Sequence, residues 1–189
     1  MKTIHFIRHG QTEWNKEGRL QGWLNSPLTE LGKQQASELQ GRFKVEAVFC
    51  SDLGRAVETA NAAFPYLQPT TLPELREIYL GDWQGETIEG LQQDPHYMTY
   101  VTNPAQFVAR SQESFGQVRE RMLKAWSQII ASEHSQIVIV GHGVALYCLL
   151  LAIHGEQLVT FDHKWMLESC GYTTFYVQES QRHAYLGAF

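Results

Sequence analysis

The sequence predicts an α/β fold, a three-layer α/β/α sandwich whose central sheet is mostly parallel. Short apolar runs rich in β-branched and aromatic residues alternate with helical runs as far as residue 154. This alternation is typical of parallel strands joined by helices that cover both faces of a sheet. The chain has 189 residues and no internal repeat or low-complexity linker, so we expect one domain spanning 1–189.

Two buried strands are expected in the first third of the chain, at 3–7 and 47–50. Between them, the polar and glycine-rich stretch 11–27 is predicted to be a loop without regular structure. Thr29 is placed to cap a helix. The apolar side of that helix would comprise Leu31, Ala36, Leu39 and Phe43. A second helix is predicted at 55–64, because the proline that follows disfavours helical backbone before it.

The middle of the chain is the least regular part of the sequence. A proline-containing and glycine-containing connection runs over 68–110, and a connection of this length is usually functional or ordered by short helices. We expect a lid-like segment at about 82–112. Ser114 and Gln117 then form a capping-box pattern ahead of a long amphipathic helix that should end near His134. The remaining predicted elements are a strand at 136–140, a buried helix at 144–154 and strands at 172–177 and 183–189.

Composition excludes several classes of protein. Hydrophobic residues make up 43% of the chain and charged residues 19%, which excludes a disordered protein. A net charge of −5 argues against a nucleic-acid partner, and the longest apolar stretch, 144–153, is too short to span a membrane. The three widely spaced cysteines are typical of buried thiols in a reducing compartment. With no signal sequence ahead of the first strand, we expect a cytoplasmic protein, whether monomer or homodimer.

Residues suited to phosphate chemistry follow three of the predicted strands. Arg8 and His9 end the first strand, Arg55 follows the second, and His142 follows the strand at 136–140. Because the carboxyl ends of parallel strands meet at one edge of a sheet, these side chains can converge. A guanidinium matches phosphate geometry, and an imidazole serves as nucleophile or proton carrier. Arg55 could instead form a surface salt bridge with Glu58, and a lone histidine ending a strand is usually structural.

Four motifs follow one another along the chain: RHGQTEWN at 8–15, SDLGRAVETA at 51–60, LREIYLGDWQG at 75–85 and GHG at 141–143. Together they resemble the histidine phosphatase superfamily, also called phosphoglycerate-mutase-like, and within it the small bacterial-type phosphatases. The resemblance implies a phosphoglycerate-mutase-like fold. It also implies a metal-independent phosphatase that needs no cofactor and acts on small phosphorylated substrates.

The resemblance further implies a role for each motif residue. His9 would be phosphorylated transiently by in-line attack on the substrate. Arg8, Arg55 and His142 would grip the phosphoryl oxygens, with two guanidiniums and an imidazolium supplying the positive charge. Additional contacts to phosphate or substrate are implied for Asn15, Gln21, Gly22 and Gly143.

Glu77 matches the acid of the family, which protonates the leaving alcohol and later activates water. Glu74, three residues earlier, is a competing carboxylate, and for either one an exposed loop position is the simplest interpretation. The chain departs from many relatives at Gln11, Gln84 and Gly141. None of these replaces a group in the mechanism.

Three other functions compete with a phosphatase. A cofactor-dependent phosphoglycerate mutase would need extra cations around the pocket, but the segment after Gly85 has no Lys or Arg until Arg110. That segment favours hydrolysis of monoesters with neutral or apolar bodies. A non-catalytic phospho-ligand-binding module would normally have lost the nucleophile or the acid. A zinc hydrolase is disfavoured, because the sequence has no His-Glu-x-x-His motif.

Overall fold

The computed structural model describes residues 1–162 and 164–178 and has the predicted α/β/α arrangement. Five strands of this described part form one sheet in the order β3-β2-β4-β1-β5. They are β1 (Lys2–Arg8), β2 (Ala47–Cys50), β3 (Thr70–Thr71), β4 (Gln136–Gly141) and β5 (Tyr172–Val177). All neighbouring pairs are parallel except β1 and β5, so the sheet is mostly parallel as predicted. The strand predicted at 183–189 lies outside the described residues.

Seven α-helices occur in the part of the chain that the structure describes. They are α1 (Glu13–Lys16), α2 (Glu30–Ser37), α3 (Gly54–Ala63), α4 (Ile88–Leu91), α5 (Pro95–Thr102), α6 (Phe115–Ala131) and α7 (Gly143–His154). Short 3-10 helices lie at Pro73–Leu75, Gly81–Trp83 and Pro104–Gln106. None of the described helices is long and apolar enough to cross a lipid bilayer.

The helices form two layers because side chains of a strand alternate between the faces of the sheet. Phe6 and Ile139 are buried with α6 and α7 on one face. Ile7 and Val140 are buried with α2 and α3 on the other. Strands covered on both faces are apolar at nearly every position, which is why 136–140 was so strand-like in the sequence.

The register of the parallel strands brings three strand ends to one edge. Arg8 is paired with Gly141 across β1 and β4, and Cys50 is paired with Val140 across β2 and β4. Consequently the residues that follow each strand leave the sheet at nearly the same level. This is the edge where the site residues were expected to meet.

The stretch 11–27 contains a short helix, contrary to the prediction of a loop without regular structure. Thr12 Oγ1 accepts a hydrogen bond from Asn15 N, and Asn15 Oδ1 accepts one from Thr12 N, both at 3.1 Å. This capping box stabilises the single turn of α1. Only four residues are helical, too few to show a periodic pattern.

Helix α2 starts after Thr29 as predicted but ends at Ser37, before two of the apolar residues assigned to it. Ser37 Oγ donates to Lys33 O at 3.0 Å, and such side-chain bonds compete with helix continuation. Leu39 and Phe43 reach the core from the turns that follow. Leu31 was wrongly placed on the buried side, because it is 49% exposed.

Helix α6 ends at Ala131, three residues before the predicted end near His134. Lys2 Nζ donates to Ser132 O at 2.6 Å and to His134 O at 2.5 Å. The Lys2 side chain on β1 therefore binds carbonyl groups near the C-terminus of α6, where the helix itself provides no N–H donor.

The long connection at 68–110 is ordered by short helices. Trp83 packs against Tyr97, Tyr100 and Phe107, with ring centroids 5.3–5.9 Å apart. These rings join the core formed with α6 and α7. That the segment 82–112 acts as a lid, within one domain spanning 1–189, stays a prediction.

Candidate active site

The carboxyl edge of the sheet opens into a cavity of about 220 Å³. The predicted site residues that line it are Arg8, His9, Asn15, Gln21, Gly22, Arg55, Glu77 and Gly143. His142 is fully buried beside them, with its ring centroid 5.2 Å from that of His9. The structure therefore brings together every residue that the sequence placed in the site.

His9 presents one particular nitrogen to a substrate. Its Nδ1 lies 2.7 Å from Gly10 O, and because a carbonyl can only accept, Nδ1 carries the proton. Nε2 then keeps its lone pair. Burial, followed by the charges of Arg55 and Arg8, holds the pKa of His9 well below its ordinary value of 6.5, although the bond to Gly10 opposes this. A lowered pKa favours the neutral ring, which is the form that a nucleophilic imidazole requires.

Arg55 is a buried cation, since only 1% of it is exposed. Its Nη1 donates to Leu24 O at 2.8 Å and its Nη2 donates to Gly22 O at 2.7 Å. Burial lowers its pKa to about 10, which still leaves it charged at neutral pH. Arg55 thus lines the cavity and forms no surface salt bridge with Glu58, whose carboxylate instead accepts from Leu28 N.

Four buried nitrogens around His9 have no hydrogen-bond partner among the described residues. They are Nε of Arg8, Nε of Arg55, and Nδ1 and Nε2 of His142. Another nitrogen of Arg8, Nη1, does have a partner, because it donates to Leu167 O at 2.9 Å. Leaving a buried polar group unpaired costs about 1–3 kcal/mol, so such groups indicate a ligand. Two of these four belong to cations, so that ligand is an anion.

His142 differs from the expected imidazolium. Burial, followed by the charges of Arg55, His9, Arg121 and Arg8, holds its pKa well below the ordinary value. The ring is therefore neutral when no anion is bound, and it can still donate one N–H to a phosphoryl oxygen. A bound phosphate would raise its pKa again by supplying negative charge.

The carboxylate of Glu77 lies at the N-terminus of α7. Its Oε1 accepts from Ile78 N and Ala145 N at 2.9 Å, and its Oε2 accepts from Val144 N at 3.2 Å. Glu74 instead pairs with Lys124 at 3.0 Å and is not among the residues that line the cavity. Of the two competing carboxylates, only Glu77 lines the cavity with Arg8, His9 and Arg55.

Helix α1 and the loop after it supply a further wall of the cavity. The Oδ1 of Asn15 is used by Thr12 N, which leaves its NH2 group for a ligand. Gly22 has a positive φ of 55°, which disfavours any other residue, and a Cβ there would force the Gln84 side chain to move. Gln84 Oε1 in turn accepts from Trp23 N at 2.7 Å, so this departure from many relatives still anchors the loop.

Sequence reasoning missed several residues of the cavity. Arg19 and Met166 line it, and Thr59 Oγ1 accepts from Gly10 N at 3.0 Å behind His9. Arg19 donates to Gly85 O and to Glu17 Oε2. A charged side chain in a glycine-rich loop was a usable signal for Arg19. Thr59 lies within the motif at 51–60, although no role was implied for it, and no local pattern distinguished Met166.

A neutral histidine lies at the carboxyl edge of an α/β/α sheet, beside two arginines and opposite a carboxylate. This arrangement is suited to phosphoryl transfer. A family model described as the histidine phosphatase superfamily (branch 1) matches residues 4–186. The chain belongs to this superfamily. The resemblance read from the four motifs and the predicted fold class are both confirmed.

Two relatives and one solved structure illustrate the membership. "Probable phosphoglycerate mutase GpmB" of Proteus mirabilis (strain HI4320) is 34% identical, over 95% of this chain and 87% of the relative. "Metal-independent phosphoserine phosphatase" of Arabidopsis thaliana is 35% identical, over 88% of this chain and 79% of the relative. The solved structure "Bacillus stearothermophilus YhfR" is 33% identical with a TM-score of 0.88, and covers 95% of this chain and 93% of its own. The chain is therefore an enzyme of this superfamily, a phosphatase or a mutase.

Proposed function

We propose that this protein is a metal-independent phosphatase that hydrolyses small phosphate monoesters through a phosphohistidine on His9. The observation that carries the proposal is the set of four unpartnered nitrogens around the free Nε2 of His9. The two arginine nitrogens and the one N–H of the neutral His142 ring can donate to the phosphoryl oxygens of an ester that His9 Nε2 attacks. The scheme needs neither a metal nor a cofactor, because the arginines provide the positive charge.

In the first half-reaction, His9 Nε2 attacks phosphorus and the bond to the ester oxygen breaks. Arg8, Arg55 and His142 stabilise the charge that spreads over the non-bridging oxygens. The protonated Glu77 carboxyl donates its proton to the departing alkoxide. The carboxylate that remains is stabilised by the three backbone N–H groups that it contacts.

In the second half-reaction, Glu77 takes a proton from water while the water oxygen attacks the phosphorus on His9. The N–P bond breaks, inorganic phosphate forms, and the neutral ring is regenerated. The bond from Nδ1 to Gly10 O fixes the ring plane throughout, because it does not involve the reacting nitrogen. Glu77 thus serves as acid and then as base.

The rest of the cavity suits a substrate with a neutral or apolar body. Its wall beyond the phosphate-binding groups is largely apolar and includes Leu20, Ile78, Leu80, Ile88, Tyr100 and Met166. Two of these, Ile88 and Tyr100, come from the segment 82–112, which supports its role as a lid. The acidic composition and the buried free thiols support a cytoplasmic enzyme without a nucleic-acid or membrane partner.

Phosphoglycerate mutase is the second candidate. The name of the Proteus mirabilis relative favours it, and so does Arg19, a cation in the cavity wall that could hold a second anionic group. However, Arg19 is already engaged with Gly85 O and Glu17. The absence of Lys and Arg from 86–109 also leaves little positive charge to retain a bisphosphate.

A direct comparison of hydrolysis with isomerisation tests the proposal. Phosphate release would be measured across sugar phosphates, nucleotides, phosphoglycerates, phosphoamino acids and cobalamin precursors. Isomerisation of 3-phosphoglycerate would be measured with bisphosphoglycerate supplied. We expect phosphate release to be the faster reaction, and an acid-labile phosphoenzyme that is absent from His9→Ala. Faster isomerisation would establish a mutase, and binding without any turnover would establish a phospho-ligand-binding module.

A further inference from the structure

One arginine outside the cavity holds the turn that carries Glu77. Arg121 lies in α6, and its side chain is only 16% exposed. Its Nη1 donates to Glu74 O at 2.8 Å and to Arg76 O at 2.6 Å, and its Nη2 donates to Glu77 O at 2.9 Å. A single guanidinium therefore binds three carbonyl groups of the four-residue turn 74–77.

Glu113 fixes the orientation of this guanidinium. Arg121 Nε donates to Glu113 Oε1 at 2.7 Å, and Arg121 Nη2 donates to Glu113 Oε2 at 2.9 Å. The same Oε2 accepts from Tyr79 N at 3.0 Å, two residues after Glu77. The ion pair consequently binds the backbone on both sides of Glu77. Such two-point pairs are geometrically specific, and this one is shielded, since Glu113 is only 13% exposed.

The peptide group of Glu77 is fixed at several points. Its carbonyl accepts from Arg121 Nη2 and, at 2.8 Å, from Trp23 Nε1. Its carboxylate accepts from the next backbone amide, Ile78 N. Because these bonds hold the backbone of Glu77, they also determine where its carboxyl group lies in the cavity. Helix α6 is itself anchored by Val118 and Met122, which are completely buried, so the point of attachment is rigid.

We propose that Arg121, oriented by Glu113, is a positioning residue that sets the Glu77 carboxyl where the leaving alcohol departs. This inference rests on the proposed role of Glu77 as acid and base. Arginine is required because five N–H donors in one plane bond a carboxylate and three carbonyls together. A lysine at this position has one nitrogen and cannot span these partners.

The test uses Arg121→Lys with two substrates that differ in their need for an acid. kcat/KM reports only the steps up to departure of the alcohol. For a simple alkyl phosphate we expect it to fall about 100-fold, because a misplacement of about 1 Å costs that much. For p-nitrophenyl phosphate we expect less than about a threefold loss, since its leaving group needs no proton. The matched control is Arg119→Lys on the exposed face of the same helix, which should change neither value.

A double variant separates positioning from general stability. If Arg121 acts through Glu77, then Arg121→Lys added to Glu77→Gln should lower kcat/KM for the alkyl phosphate by less than about twofold. Equal losses for both substrates, or a full additional loss in the double variant, would overturn the inference. If Arg121→Lys does not fold, Glu113→Gln tests the same ion pair, and failure of both to fold would show a purely structural role. A wild-type protein inactive on every monoester would instead refute the proposed function itself.

Discussion

The proposed phosphate-binding side of the cavity, formed by Arg8, His9, Arg55 and His142, and its proposed proton-transfer side, formed by Glu77, are held in place by different means. Arg8 is the last residue of β1, and His9 and His142 directly follow β1 and β4. The register of these strands is set by a continuous ladder of backbone hydrogen bonds. Glu77 lies on a turn after a 3-10 helix, where side chains from distant parts of the chain hold it. Arg121, the largest contributor, is 44 residues away in sequence.

This difference determines how each side can fail. Any apolar sequence that keeps the parallel strands would deliver His9 and His142 to the same edge, because the backbone alone fixes them. The place of Glu77 depends instead on the chemical identity of particular side chains, above all Arg121 and Glu113. Substitutions should therefore damage one side of the cavity without the other, and the two sides should be distinguishable by substrate.

The largest expected effect comes from His9→Ala on the phosphate-binding side. Without the nucleophile, kcat/KM should fall by about four orders of magnitude or more for every monoester, activated or not. The fold should persist, because the loop backbone retains its bonds from His9 N to Gly141 O and from Gly10 N to Thr59 Oγ1. Steady-state kinetics and thermal unfolding would measure the two quantities.

The exposed His134 provides the control for this variant, since His134→Ala should leave both quantities unchanged. A folded His9→Ala protein with near wild-type phosphatase activity would refute the assignment of the nucleophile.

Glu77→Gln should produce a smaller and more selective loss on the proton-transfer side. The amide oxygen can still accept from Ile78 N and Ala145 N, but the group can no longer donate a carboxyl proton. We expect kcat/KM to fall about 10²–10⁴-fold for alkyl phosphates and much less for p-nitrophenyl phosphate. A burst of p-nitrophenol would show that phosphohistidine hydrolysis has become limiting.

Glu74→Gln is the matched control, because that carboxylate pairs with Lys124 outside the cavity. Selectivity for activated esters in Glu74→Gln, rather than in Glu77→Gln, would reassign the acid.

The same contrast explains which features could be predicted from the sequence. His9, Arg55 and His142 each follow a buried strand, so local pattern and sheet geometry were enough to place them together. Arg121 was missed although it lies three residues after Val118 and four before Ala125, on the buried side of α6. A charged residue on that side was a signal, but its partners are carbonyls of a turn that only the folded chain brings close. The prediction that Leu31 is buried was wrong for a related reason, because its exposure depends on how α2 packs against α3.

The smallest expected effect is on the free energy of unfolding. We expect the buried histidines of the phosphate-binding side to make the folded protein less stable in acid. The pKa values of His9 and His142 are held well below 6.5 in the folded protein, mainly by burial. In the unfolded chain both return to about 6.5, so below that pH the unfolded state binds more protons than the folded state. The free energy of unfolding should therefore fall as the pH drops through 6.5. From pH 7 to 5.5 the loss should be about 1 kcal/mol for each ring.

Chemical denaturation of the wild type and of a His9→Gln/His142→Gln double variant at both pH values would measure this loss. The double variant should lose about 2 kcal/mol less than the wild type over that interval, whereas His134→Gln should behave as wild type. The difference between variants isolates the two buried rings from His5 and His154, whose pKa values burial also lowers. The same pH dependence in wild type and double variant would show that the buried rings do not make the folded protein acid-sensitive. If the expected difference is found, the neutral state that the proposed nucleophile His9 requires also makes the phosphate-binding side the acid-sensitive part of the cavity.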